Sequence, residues 1–186
     1  MTEIALTEDE KQELMRLRAE KQPLLMVAFR QTPSRSREAL LELELIKPYA
    51  QEIIAQSMGE QEWGELHRSV MLGIADLFIV FSVNNEDDKK ILETQGDTKD
   101  KEFVGYIYVT YPSGGTVAHI LHLYILEKYR AQSFHSSINK FHDEFMEILR
   151  SRGVKHVGMS TKRDGFLYDA KKLGWTETYL NYRMKL

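Results

Sequence analysis

The chain has 186 residues, of which 42% are hydrophobic and 28% are charged, and its formal net charge at pH 7 is −3. This length and apolar content predict one globular domain, and the mixed charges argue against general nucleic-acid binding. The absence of cysteine excludes a disulfide framework, a thiol nucleophile and Cys-ligated zinc, and it favours a reducing, cytoplasmic location.

The N-terminal segment is acidic and lacks the basic region and apolar core of a secretory signal. Thr7 and Glu10 have the spacing of a helix capping box, which predicts a helix over residues 7–21. No apolar run is long enough for a membrane span. We therefore expect a single domain over residues 1–186, with residues 1–23 as an N-terminal helical extension.

The next segments predict one short strand and two helices. Residues 24–29 form an apolar run that is typical of an edge strand. One helix is expected over 36–58, kinked or divided by Pro48, and another over 60–74. The predicted inward side chains of these helices are Leu40, Leu41, Leu45, Tyr49, Ile53, Trp63, Leu66, Val70 and Ile74.

The second half of the chain is richer in β-branched and aromatic residues. Residues 77–83, 103–111 and 116–126 predict three strands, and a Pro-Ser-Gly-Gly turn joins the last two, so we expect an antiparallel meander. The charged residues 84–102 predict a connection that projects into solvent with one helical turn, and this connection is a candidate for docking a protein partner.

The C-terminal part predicts an alternation of helices and strands. A helix with Phe145, Ile148 and Leu149 on its core side should end near Gly153. A strand, a short helix and a closing strand are expected to follow, over residues 154–160, 165–173 and 176–184.

The stretch ILHLYILEKYRAQSFHSSI, residues 120–138, carries the main functional signal. An apolar strand runs into a turn that contains Arg130, and an amphipathic helix follows. The first N–H groups of a helix lack intrahelical partners and carry partial positive charge. This layout therefore predicts an anion site with phosphate as the first ligand to consider.

The same stretch resembles the acyl-CoA binding segment of the GNAT acyltransferase superfamily, where a strand like LYVxPxYR leads into a glycine-rich turn and a helix. The chain reads LYILEKYR over 123–130, and its GFLYDAKKLGW over 165–175 is similar to the family's FYEKLGF segment. Ser133 and His135 stand where the family has small residues. The resemblance implies one α/β (α+β) domain with a mixed, mostly antiparallel central sheet flanked by helices.

The resemblance further implies an N-acetyltransferase that uses acetyl-CoA as co-substrate and acts on an amine of a small molecule or a protein. Backbone N–H groups around Ile125 would face the thioester, and the turn would hold the pyrophosphate. The residues implied in cofactor binding are Leu123, Ile125, Arg130, Ala131, Gln132, Ser133, Phe134, His135 and Ser136. The family's tyrosine acid would fall at Ala170, and Tyr168, two residues earlier, is the candidate substitute.

Acyl transfer to an amine also needs a group that takes the amine proton. His119 and His122 lie three residues apart on one predicted strand, so regular alternation would place them on opposite faces. We take His122 as the candidate catalytic base, and the alternative is that both histidines are structural. Opposite faces would exclude a shared metal site, and His135 and His142 lack a carboxylate at ligand spacing, so no metal is expected.

The replaced glycines and the replaced tyrosine favour an alternative of another class. This alternative is a GNAT-like domain without catalysis that serves as a structural or protein-interaction module. A third interpretation is the binding of another phosphate ligand at the same helix start. An oligomer also remains open, because the helix over 7–21 and an exposed final strand could each pair with a second copy.

Overall fold

The computed structural model describes residues 26–57, 61–96, 98, 101–112, 115–132 and 138–159. The N-terminal helix over 7–21, the predicted helix over 165–173 and the strand over 176–184 lie outside the described residues. In the described part, no helix combines the length and the apolar character needed to cross a membrane.

Five strands form one mixed sheet whose spatial order follows the chain. The first four pair antiparallel and the fifth pairs parallel to the fourth, which confirms the meander and the mostly antiparallel sheet. The strands are β1 (Val27–Gln31), β2 (Ala75–Ser82), β3 (Glu102–Thr110), β4 (Val117–Ile125) and β5 (His156–Met159). The helices are α1 (Arg37–Ser57), α2 (Gln61–Leu72), α3 (Glu86–Gln95), α4 (Glu127–Gln132) and α5 (Ile138–Ser151).

Helices cover both faces of the sheet, and each face has its own core. The first face packs against α1 and α2 and contains the buried tyrosines of β3 and β4. The second face packs against α5, whose Phe145 and Leu149 contact aliphatic and phenylalanine side chains of the sheet. We call these the tyrosine face and the aliphatic face.

The inward face predicted for α1 is wrong at its leucines, whereas Tyr49 and Ile53 pack against the core as predicted. Leu40, Leu41 and Leu45 are exposed by 44%, 63% and 40%. The buried side chains of α1 are Ala39, Leu43, Ile46, Ala50 and Ile54, and the last four belong to the core of the tyrosine face. The segment alternates leucine with glutamate, so leucines occur on several helical faces, and the small alanines let the helix approach the sheet closely.

Two further predictions for this region need correction. The helix continues through Pro48, so this residue does not divide it. In the second helix, Leu66 and Val70 are buried as expected, but Ile74 follows the helix and is 63% exposed. A left-handed Gly73 ends α2 before Ile74, and this glycine explains the difference.

One buried carboxylate, that of Glu42, helps to explain which face of α1 packs on the sheet. Glu42 accepts a hydrogen bond of 2.5 Å from the Thr32 hydroxyl, and its other oxygen lies 2.8 Å from Arg30 Nη1. Burial is the largest influence on its carboxyl group and raises the pKa of Glu42, while Thr32 and Arg30 lower it. The inward side chains predicted from the sequence are all apolar or aromatic, so the prediction does not include this polar contact between α1 and the β1 region.

The charged connection after β2 is a helix, α3, and not a loop in solvent. Asn85 caps its start by accepting from Asp88 N–H at 2.8 Å, and left-handed Gly96 ends it. Leu92 is fully buried in the core of the tyrosine face. Lys89 binds Glu144 of α5 at 2.8 Å, so α3 connects the edge strand β1 to both helical layers.

The pairing of β3 with its neighbours contains two irregularities. The register with β2 shifts between Val80 and Phe81, and the register with β4 shifts at Leu121. Near the first shift, a Cβ atom on Gly105 would lie 2.1 Å from the Tyr124 carbonyl oxygen. Only glycine permits this close approach of the two backbones, because it has no Cβ atom.

Candidate functional site

Strand β4 carries the predicted catalytic histidine, and a β-bulge changes the side chains that this strand presents. Tyr108 of β3 pairs with His122, whereas the next residue, Val109, pairs with Ile120. Leu121 is therefore the additional residue of β4, and it is 43% exposed. A bulge of this kind reverses the alternation of side chains along the strand.

The bulge places His119 and His122 on the same face of the sheet, so the prediction of opposite faces is wrong. Ile120 lies in the aliphatic core, and His122 contacts Tyr106 on the other face. His119 pairs with Thr110, which shares the tyrosine face. The argument against a shared metal site thus loses its basis. In the described ranges, no group of three or more His, Cys, Asp or Glu side chains could hold a metal ion.

His122 is buried among aromatic side chains of the tyrosine face. The residue is 8% exposed, and its Nδ1 atom lies 3.3 Å from the hydroxyl oxygen of Tyr106. The ring also meets Tyr108 edge-on, with a centroid distance of 5.6 Å. Burial lowers the pKa of His122 to about 4, so the imidazole is neutral at pH 7.

The tyrosines around His122 have hydrogen-bond partners on the helices as well as on the sheet. Tyr124 stacks on Tyr106 at 5.9 Å and donates to Glu52 Oε2 of α1 at 3.3 Å. The Tyr108 hydroxyl bonds to Ser69 of α2. Desolvation raises the pKa of both Tyr106 and Tyr108 above the ordinary value, so both phenols stay protonated.

Neither these tyrosines nor Glu52 are among the site residues predicted from the sequence. The tyrosines do pack, but their hydroxyl groups also form a polar network around His122. The alternation of tyrosines along β3 was visible in the sequence, whereas the bulge at Leu121 was not. Without the bulge, His119 would lie on the opposite face from His122 and Tyr108.

Two residues predicted to bind the cofactor, Leu123 and Ile125, lie on the opposite face from His122. Both are partly buried against the aliphatic core. The pairing of β4 with β5 covers Val117–Ile120 and ends at the bulge, in the part of β5 that the structure describes. The segment that carries His122, Leu123 and Ile125 follows this point.

The connection after β4 differs from the predicted turn. Arg130, Ala131 and Gln132 belong to the short helix α4, which begins at Glu127. The sequence EKYRAQ consists mostly of good helix formers, and this propensity explains why the chain coils immediately after the strand. Tyr129 is 7% exposed and packs in the aliphatic core.

The second half of the predicted anion site is only partly described. Ser133, Phe134, His135 and Ser136 lie outside the described residues, as does Tyr168. The following helix α5 begins at Ile138 and has no acidic residue in its first turn. The N-terminal positive end of α5 is therefore not neutralised by a carboxylate of that turn. Lys128, before the site, is paired with Glu102.

No protein-family model matches the sequence, and a search of the curated proteins finds no match. Solved structures do match. An aminoglycoside acetyltransferase from an uncultured soil metagenomic sample, in complex with sisomicin, has a TM-score of 0.54 and 12% identity over 88% of this chain and 97% of its own. A ribosomal-protein-alanine N-acetyltransferase from Brucella melitensis has a TM-score of 0.53 and 14% identity over 87% and 99%.

A predicted acetyltransferase from Clostridium acetobutylicum, solved with acetyl-CoA, has a TM-score of 0.52 and 11% identity over 86% of this chain and 96% of its own. At these identities the likeness concerns the fold alone. The three matches each extend over nearly the whole of the other chain, and the mixed sheet with helices on both faces agrees with them. The chain therefore has the fold of the GNAT acetyltransferases.

Proposed function

We propose that the protein is an acetyl-CoA-dependent N-acetyltransferase that acts on an amine of a small molecule or a protein in the cytoplasm. The observation that carries the proposal is the position of β4 in this fold. The strand presents a buried histidine after a bulge and leads through α4 to α5, whose first turn is free of acidic residues. The similar structures include acetyltransferases for an aminoglycoside and for a protein alanine.

In the proposed reaction, the neutral amine attacks the thioester carbonyl carbon. A nitrogen–carbon bond forms, the carbon–sulfur bond breaks, and the amine proton finally resides on the CoA thiol. We propose His122 and Tyr168 as the catalytic residues. We propose that the following residues contact the cofactor through side chains or backbone: Leu123, Ile125, Arg130, Ala131, Gln132, Ser133, Phe134, His135 and Ser136.

The first experiment tests acetyl-CoA binding by thermal unfolding. At a ligand concentration about a hundredfold above its Kd, binding stabilises the folded state by about 2.7 kcal/mol, which raises Tm by roughly 5–10 °C for a chain of this size. Arg130→Ala should abolish most of the increase. Arg68→Ala is the matched control, because Arg68 is an exposed arginine on α2, far along the chain from the predicted site.

The second experiment tests the transfer reaction itself. The chain contains no cysteine, so a thiol-reactive chromophore detects released CoA without background from the protein. Aminoglycosides, polyamines and peptides with a free N-terminal alanine form a first acceptor panel. No change in Tm at millimolar acetyl-CoA, together with no release of CoA, would contradict the proposal and favour the noncatalytic module.

A further inference from the structure

The two ring nitrogens of His122 have different surroundings. Nδ1 lies 3.3 Å from the Tyr106 hydroxyl, and Nε2 has no hydrogen-bond partner among the described residues. In the described part of the chain, the one fully buried side-chain polar atom that lacks a hydrogen bond is Glu42 Oε1, which is ion-paired with Arg30. Nε2 is not fully buried in this sense, so the largely buried ring leaves this atom in contact with solvent. Nε2 is therefore the atom that could meet a ligand.

The direction of the bond between Tyr106 and His122 follows from burial. The Tyr106 side chain is fully buried, and among the described residues its hydroxyl has one hydrogen-bond partner, His122 Nδ1. A buried O–H group without an acceptor costs about 1–3 kcal/mol. The arrangement that satisfies both groups has the phenol donating to Nδ1. A neutral imidazole carries one proton, which must then reside on Nε2.

We propose that Tyr106 is a positioning residue that holds His122 as the neutral tautomer with its proton on Nε2, and that His122 donates a hydrogen bond to the thioester carbonyl oxygen and does not act as the base. This inference rests on the proposed function and assigns a different role to one of its residues. As the amine attacks, the carbonyl π electrons move to this oxygen, and a fixed donor stabilises the charge that develops there.

A role as base conflicts with the same geometry. The lone pair of Nδ1 already accepts from Tyr106, and Nε2 carries the proton. Burial also leaves the pKa of His122 at about 4, well below that of an amine base. In this assignment the amine proton passes to solvent and then to the CoA thiolate.

The other titratable groups near His122 do not change their protonation around neutral pH, so they do not disturb this tautomer. Tyr106 and Tyr108 of β3 stay protonated, as their raised pKa values require. The nearby carboxylates are those of Glu52 on α1 and Glu65 on α2, which act on Tyr106 and Tyr108, respectively. Both carboxylates are exposed to solvent.

Nitrogen-15 NMR of histidine-labelled protein tests the tautomer without any substrate. The chain has six histidines, and His122 is assigned as the imidazole whose signals disappear in His122→Gln. We expect a protonated Nε2 and an unprotonated Nδ1 from pH 7 down to about pH 5. Tyr106→Phe should shift the Nδ1 signal or mix the tautomers. Tyr108→Phe is the matched control and should leave the tautomer unchanged, because Tyr108 bonds to Ser69. A proton on Nδ1 would overturn the inference.

Steady-state kinetics test the role of the donor. A glutamine amide nitrogen can occupy the position of Nε2 and donate, but it cannot act as a base. His122→Gln should keep kcat within about tenfold of the wild type, whereas His122→Ala should lower it by about 100-fold or more, with KM for acetyl-CoA little changed. Equal losses in both variants would overturn the donor role. A wild-type protein without transfer activity would instead refute the proposed function, while the NMR result still decides the tautomer.

Discussion

The two faces of the central sheet are packed by different means. The aliphatic face joins α5 to the sheet through apolar side chains such as Phe145, Phe78 and Ile107. The tyrosine face buries Tyr106, Tyr108 and His122, whose polar atoms need hydrogen bonds once they leave water. The comparison shows that the aliphatic face is held by apolar packing, whereas the tyrosine face also depends on hydrogen bonds between buried polar groups.

The largest loss of stability should come from a substitution in the core of the aliphatic face. Phe145 is 2% exposed, with its ring centroid 5.5 Å from that of Phe29 and 5.2 Å from that of Phe78, which it meets edge-on. Phe145→Ala should lower the free energy of unfolding by about 3–5 kcal/mol, because it leaves a cavity in a packed core. The loss, measured by urea denaturation, should be the same at pH 5 and pH 7. Glu147→Ala, on an exposed position of α5, should change it by less than about 0.5 kcal/mol. A strongly pH-dependent loss for Phe145→Ala would contradict the description of this face.

The next largest loss of stability should come from the tyrosine face, where a substitution on α1 tests which face of this helix is buried. Leu43 is fully buried, whereas Leu41, two residues earlier, is 63% exposed. Leu43→Ala should therefore cost about 2–5 kcal/mol, and Leu41→Ala should have a small effect. Chemical denaturation of the pair makes a direct test, since the two variants remove the same atoms from one helix. Similar losses in both variants would support the orientation predicted from the sequence.

This pair also shows what the sequence determines and what it does not. The periodicity of apolar residues located α1, and the β-rich runs located β2, β3 and β4 within a few residues. The periodicity could not select the buried face of α1, because the choice depends on Ala50 fitting against the sheet and on the pairing of Glu42 with Arg30.

The candidate site was predicted less completely than the fold. The sequence correctly placed His122 on a strand that leads into a helical segment, but it placed His119 on the wrong face and missed the helix α4. A bulge at Leu121 arises from long-range pairing with β3, which no local pattern encodes. The contact between Tyr124 and Glu52 likewise joins residues that are 72 positions apart.

The buried histidine should make the stability of the tyrosine face dependent on pH. The folded pKa of His122 is about 4 and the ordinary value is 6.5, so between these values the unfolded chain binds a proton that the folded chain does not. Unfolding free energy should therefore fall as the pH falls from about 6.5 to 4, by about 3 kcal/mol in total. The measurement is the difference in unfolding free energy between the wild type and His122→Gln at each pH from 6.5 to 4.

Taking this difference removes the contributions of other groups. Burial raises the pKa of Glu42, and a carboxyl with a raised folded pKa changes stability in the opposite direction, with a gain as the pH falls. Both proteins contain Glu42, so its contribution cancels. An unchanged difference between the two proteins from pH 6.5 to 4 would mean that His122 titrates normally, and the tyrosine face would then be less well sealed than the structure indicates.

The smallest loss of stability should come from the edge of the tyrosine face. There, Tyr124 donates a hydrogen bond to the exposed carboxylate of Glu52 at 3.3 Å. Tyr124→Phe should cost about 0.5–1 kcal/mol, at the low end for a hydrogen bond because Glu52 retains access to water. A double-mutant cycle with Glu52→Gln isolates the pair and should give a coupling energy of about 0.5 kcal/mol. Glu44→Gln, at another exposed position of α1, is the control and should show no coupling to Tyr124. If the coupling with Glu52 were also zero, the hydrogen bond between Tyr124 and Glu52 would contribute nothing to stability, and this pair would not extend the polar network around His122 to α1.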